Sequence, residues 1–102
     1  MTKPTLALLV RLKSSLPPEE VMTVVEQRAD DFRALAGLQQ KYYLHDVESG
    51  EYGGLYLWDS PEALTAYRES ELRASIARAY QAEGEPRVEV FRVIKILRDE
   101  NR

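Results

Sequence analysis

The chain has 102 residues, a net charge of −3 and a pI near 5.2, with hydrophobic residues at 44% and charged residues at 30%. These proportions suit one small soluble domain, and the acidic balance argues against polyanionic partners, so no nucleic acid is expected. There is no cysteine to form a disulfide or a thiolate metal site. The longest uninterrupted apolar run, Leu6 to Val10, is too short to span a bilayer, so no membrane partner is expected and the localisation reads as cytoplasmic.

Residues 5–12 alternate as a strand, with Leu6, Leu8, Val10 and Leu12 on one face. Ala7 and Leu9 keep the other face partly apolar. Pro17-Pro18 ends this strand, and Glu19-Glu20 suits a helix N-terminus, where acidic groups favour the dipole. The helix is expected to run to about Ala36 on a stripe of Val21, Val25, Ala29, Phe32 and Ala36, with Gly37 as its left-handed stop.

A second strand is expected over 38–47, placing Gln39, Lys41, Tyr43, His45 and Val47 on one face. The turn centres on Ser49-Gly50, and a third strand runs from Gly54 to Trp58. Ser60 and Pro61 open a second helix on Ala63, Leu64, Tyr67 and Ser70. Helical character is expected to resume through Leu72, Ile76, Ala79 and Tyr80 and to stop at Gly84. Pro86 precedes a last strand, residues 87–97.

The order β-α-β-β-α-β defines a ferredoxin-like α+β fold with a four-stranded antiparallel sheet. Two helices cover one face of such a sheet. The first and last strands are apolar on both faces, so a homodimer joined sheet to sheet is expected. Which face meets the helices stays open, because both are apolar enough.

Residues 37–69 gather most of the tyrosines, the only tryptophan and the only histidine. Gly37-Leu38, Lys41, the aromatic Tyr43, an acid-rich turn, Gly53-Gly54-Leu55-Tyr56-Leu57 and Ser60-Pro61-Glu62-Ala63 form one spaced pattern. It resembles the YdhR-like putative mono-oxygenase family of the dimeric α+β-barrel (antibiotic-biosynthesis-monooxygenase-like) superfamily, closely over about residues 32–68. The resemblance implies a single barrel-forming domain over 1–102, a pocket between sheet and helices, and oxidation of electron-rich aromatic substrates by dioxygen with no bound cofactor. Haem-degrading relatives use an Asn on the first strand and a Trp and a His on the second helix. Here the first strand has no Asn, Tyr67 falls near the Trp position, and the helix lacks histidine. Tyr43 stands where the group commonly has Trp.

The site expectations follow from residue chemistry. Tyr43, Tyr56, Trp58 and Tyr67 are the candidate substrate-binding residues: phenols donate hydrogen bonds at neutral pH, and the indole N–H can do the same. Core packing and cross-strand pairing account for the same residues without a ligand. His45 is a speculative catalytic base, with an unperturbed pKa near neutrality, or else a partly exposed polar residue beside a hairpin. Lys41 shares that face and could attract an anionic oxygen, but reads more simply as an exposed sheet-edge lysine. No metal site is expected: Asp46, Glu48 and Glu51 lack the spacing of a calcium loop, and Asp30-Asp31 and Asp99-Glu100 read as solvated surface.

Three functions remain: a cofactor-free mono-oxygenase acting on a phenolic, quinol-like or polycyclic aromatic molecule, a non-catalytic homodimer that binds a small apolar or aromatic ligand, or a purely structural or interaction role in which the aromatics are core and interface.

Overall fold

A computed structural model describes residues 3–98, which leaves Asp99-Glu100 outside the described residues. The elements are β1 (Leu6–Leu12), α1 (Pro18–Arg33), β2 (Leu38–His45), β3 (Tyr52–Trp58), α2 (Pro61–Arg68), α3 (Glu71–Ala74), α4 (Ile76–Ala79) and β4 (Arg87–Arg92). The strands form one antiparallel sheet in the order β2-β3-β1-β4, the ferredoxin-like arrangement.

The register decides the question of faces. Leu6, Leu8, Val10 and Leu12 of β1 lie opposite Trp58, Tyr56, Gly54 and Tyr52 of β3, and Lys41, Tyr43 and His45 of β2 lie opposite Tyr56, Gly54 and Tyr52. Directly paired residues share a face. This set meets the helices, where Val21, Val25 and Phe32 of α1, Leu64 and Tyr67 of α2, Ile76 and Tyr80 complete the buried core. The opposite face carries Ala7, Leu9, Gln40, Tyr42, Leu44, Leu55, Leu57 and Phe91, and no helix covers it. Tyr42, Leu44 and Phe91 there are exposed. Near one end of that face, Arg11 pairs with Asp46 at 2.6 Å, and Arg87 holds Glu51 through two contacts of 2.7 Å. These bonds tie the β2–β3 hairpin to β1 and β4.

Several boundaries differ from the sequence reading, and β3 starts at Tyr52 rather than Gly54. Helix α1 stops at Arg33 rather than about Ala36, because its last turn tightens: the Leu35 N–H bonds the Phe32 carbonyl at 3.1 Å. Gly37 (φ 81°) makes the reversal, and a Cβ there would fall on the Ala63 Cβ. Strand β2 ends at His45, and Val47 is exposed in the turn. Strand β4 ends at Arg92 rather than Leu97: Arg92 lies opposite Leu6, where β1 starts, and just beyond it the Val93 N–H bonds the Thr5 carbonyl.

The second helical region is three short pieces. Ser70 separates α2 from α3 by capping the Arg73 N–H while donating to the Tyr67 carbonyl. Ser75 bonds the Leu72 carbonyl and separates α3 from α4.

Candidate functional site

A cavity of about 130 Å³ lies between the β2–β3–β1 part of the sheet and α1, with Ile76 and Tyr80 closing it from the α4 side. Its walls include Val10, Val25, Phe32, Tyr43, Tyr56 and Tyr80, and the amine of Lys41 sits among them. An outer cleft of about 360 Å³ beside it is lined by Gln39, Gln40 and Arg33 and shares Phe32, Lys41 and Tyr43 with the inner cavity.

The backbone makes this space by omission. Gly54 lies between Val10 and Tyr43 on the helix face, and a Cβ there would come within 2.9 Å of the Tyr56 ring and 3.2 Å of Lys41 Cε. Glycine inside a strand marks a close approach. Here it lets the lysine stem cross the sheet and the Tyr56 ring lean over it. Lys41 Nζ then rests 3.3 Å from the centroid of Phe32, 4.3 Å from Tyr43 and 4.5 Å from Tyr56. A cation over aromatic faces gains electrostatic attraction. Among the described residues, no carboxylate lies within ion-pair distance of it.

This placement corrects the reading of Lys41 as an exposed edge lysine. Partial burial, and then the positive charge of Arg28, lower its pKa from 10.5 to about 7. The tyrosines shift the other way. Burial raises Tyr43, raises Tyr56 well above the ordinary phenol value and pushes Tyr80 up to about 12. The phenols therefore remain protonated donors at neutral pH, while the amine is poised to change charge.

Among the candidate residues, Tyr43, Tyr56 and His45 line the cavity. His45 is exposed at its end and stacks on Tyr52 at 4.3 Å, which leaves it well away from the aromatic centre built on Phe32 and Tyr56. Tyr67 and Trp58 stand behind Tyr56 rather than on the cavity wall. The hydroxyls of Tyr67 and Tyr56 share a hydrogen bond of 3.1 Å. Trp58 is fully buried, with its ring 5.3 Å from Tyr67 and 6.1 Å from Tyr56, and its indole N–H has no partner. As a result Tyr56 is held by its neighbours at a fixed angle, with its ring facing the cavity.

Arg28 is the cation that sequence reasoning missed. It lies 5.8 Å from the Phe32 ring, bonds Ser75 and the Leu72 carbonyl, and so ties α1 to the α3–α4 segment. Its signal was only its place one turn before Phe32. Elsewhere, Asp46 is occupied by backbone N–H groups of Ser49 and Glu48 and by Arg11, which hold its carboxyl well below the usual range. Among the described residues, no group of three His, Asp or Glu side chains is placed to hold a metal ion, and no helix is long and apolar enough to cross a membrane.

The chain thus has the ferredoxin-like α+β fold class, with an aromatic cavity between its sheet and helices. Within that class, residues 7–99 match the family model described as "Putative mono-oxygenase ydhR", and the chain belongs to that family. No curated protein matches. Solved structures share the fold at low identity. SnoaB, a cofactor-independent oxygenase from Streptomyces nogalater, is 15% identical with a TM-score of 0.73, covering 94% of this chain and 99% of its own. An antibiotic biosynthesis monooxygenase, so described as putative, from Caulobacter crescentus is 18% identical with a TM-score of 0.70, covering 92% and 93%. A dimeric ferredoxin-like protein of unknown function from Thermobifida fusca is 14% identical with a TM-score of 0.66, covering 91% and 95%.

Proposed function

We propose that the chain is a cofactor-free mono-oxygenase that oxidises a phenolic or quinol-like aromatic molecule held in the inner cavity. The observation that carries this reading is the cavity itself: an aromatic-walled space lined by Phe32, Tyr43, Tyr56 and Tyr80, with the Lys41 amine among them. An apolar cavity of about 150 Å³ accommodates one benzene ring, so 130 Å³ suits a single ring. A polycyclic substrate would have to extend past Lys41 and Tyr43 into the outer cleft.

In this mechanism the substrate supplies the electrons. The walls strip it of water, Tyr43 and Tyr56 orient its oxygens, and loss of a proton makes it a better donor to dioxygen. Tyr67 and Trp58 act by holding Tyr56 in place. His45 is the base candidate at the cavity end.

The protein works as a homodimer in this reading, because the uncovered sheet face is apolar and Ile94 and Leu97, after β4, are 93% and 84% exposed. A monomer by light scattering at micromolar concentration would count against the assembly.

The test of function is dioxygen uptake by the metal-free protein with quinols, catechols and anthrones, beside Tyr56→Phe and His45→Ala. Uptake well above autoxidation, and reduced in Tyr56→Phe, supports the reading. Ligand-induced thermal stabilisation with no uptake across the panel overturns it in favour of a non-catalytic binding protein.

A further inference from the structure

We propose that Lys41 is the anion-binding and proton-accepting group of the cavity, taking the proton of an acidic phenol or enol onto Nζ and pairing with the oxygen anion that results. The inference deepens the function above by naming the substrate's ionisable oxygen as the group recognised. It rests on the cavity being a small-molecule site, and not on the oxygen chemistry.

Three observations carry it. The amine sits at the junction of the inner cavity and the outer cleft, with Phe32, Tyr43 and Tyr56 around it and no carboxylate within ion-pair distance among the described residues. Arg28 lies 5.8 Å from the Phe32 ring and its charge acts on Lys41, likewise with no carboxylate partner among the described residues. Lys41 therefore lines an apolar space with no built-in counter-ion while a second positive charge acts on it, and the charge that would balance it is an anion of the size the cavity admits. Finally, Tyr43, whose ring lies 4.3 Å from the amine, remains protonated, so its hydroxyl can donate to the same oxygen.

The surroundings set the pH behaviour. Lys41 is faced by Phe32 and Arg28 from α1, Tyr43 from its own strand and Tyr56 from β3. Tyr67 of α2 and Tyr80 after α4 stand behind these, and Glu26 and Arg33 of α1 act on Tyr43. The step is a plain transfer: the ligand O–H bond breaks, an N–H bond forms on the neutral amine, and the electron pair stays on oxygen. No oxidant is needed. Because the amine's pKa is about 7, the transfer is closest to balance for a ligand that also ionises near neutrality.

The probe is 4-nitrophenol, which ionises near neutral pH and turns yellow as the phenolate. It is titrated into the full-length protein under argon, so that oxygenase chemistry plays no part. Wild type is expected to bind it as the phenolate, with affinity peaking near pH 7 and falling about tenfold per pH unit on either side, since the complex forms from neutral amine plus phenol or from ammonium plus phenolate. Lys41→Met is expected to bind the un-ionised phenol alone, with affinity flat in acid and falling only in alkali. Lys41→Arg keeps the phenolate colour but loses the alkaline fall, because guanidinium does not give up its proton in that range. Circular dichroism and the melting transition check that both variants fold. A colourless bound probe in wild type, a pH profile unchanged in Lys41→Met, or no binding at millimolar probe overturns the proposal. A positive result with no dioxygen uptake on the quinol panel retains Lys41 as the anion site and removes the oxygenase reading alone.

Discussion

The two faces of the sheet are built from the same four strands and do opposite things. The face under the helices carries Tyr56 and Trp58, both buried, with Lys41 set among aromatic rings. The bare face carries Ala7, Leu9, Leu55 and Leu57, with Tyr42, Leu44 and Phe91 exposed around them. Large rings with polar tips leave room between them and can orient a ligand, whereas short aliphatic side chains make a low surface suited to lying against another. The difference teaches that one alternating strand pattern can encode an aromatic cavity on one side and an uncovered apolar surface on the other.

Changes to either face break this contrast in different ways. The largest effect is expected from Trp58→Ala, which empties a fully buried site and should cost about 3–5 kcal/mol of folding stability, read by urea unfolding. Leu57→Lys on the bare face should instead leave the fold intact by circular dichroism. It should weaken self-association at least about a hundredfold, or about 2.7 kcal/mol, by analytical ultracentrifugation. Were both variants to unfold alike, the division of labour between the faces would be wrong.

Tyr56→Phe sharpens the picture of the covered face. It leaves the Tyr67 hydroxyl buried without its 3.1 Å partner and should cost about 1–2 kcal/mol.

The smallest expected effect is the charge on Lys41. Its folded pKa lies below its unfolded value, so between about pH 7 and 10 the unfolded chain binds more protons and stability rises with pH. Below about pH 7 the full cost of the buried charge is present. Lys41→Met should flatten that slope and raise stability at neutral pH by about 1 kcal/mol, a figure discounted for the amine's partial exposure, as thermal melts at several pH values would show.

The strands and their order were legible because each element carries its own punctuation: Pro17-Pro18, Gly37, Ser49-Gly50, Ser60-Pro61. The choice of covered face was not, since β1 is apolar on both sides and only packing against α1 and α2 breaks the tie. The break at Ser70 was legible as a resumption of helical character at Leu72, but the one at Ser75 was hidden because serine inside a helical pattern reads equally as a tolerated surface residue. Strand β4 was drawn too long because Val93, Ile94 and Leu97 have strand character, while the start of β1, a distant stretch of chain, decides how far pairing can go.

Lys41 is the instructive case. Its neighbours Gln39, Gln40 and Tyr42 give no hint of burial, which comes from Phe32 on a separate helix and from the space left by Gly54. The readable signal was the glycine pair in the adjacent strand. Tyr43 and Tyr56 were legible as aromatic candidates by their spacing, but Tyr67 and Trp58 share the same composition and stand behind the wall.

At Gly53 and Gly54 the sheet carries side chains on neither side, so it is there a partition one peptide thick. Added bulk has nowhere neutral to go: a Cβ at Gly54 presses on Tyr56 and Lys41, and one at Gly53 comes within 3.2 Å of the Val10 carbonyl. Bulk at Gly54 would press on the covered face and bulk at Gly53 on the bare one, so tolerance to substitution at this spot is governed by wall thickness rather than by hydrophobicity or strand propensity.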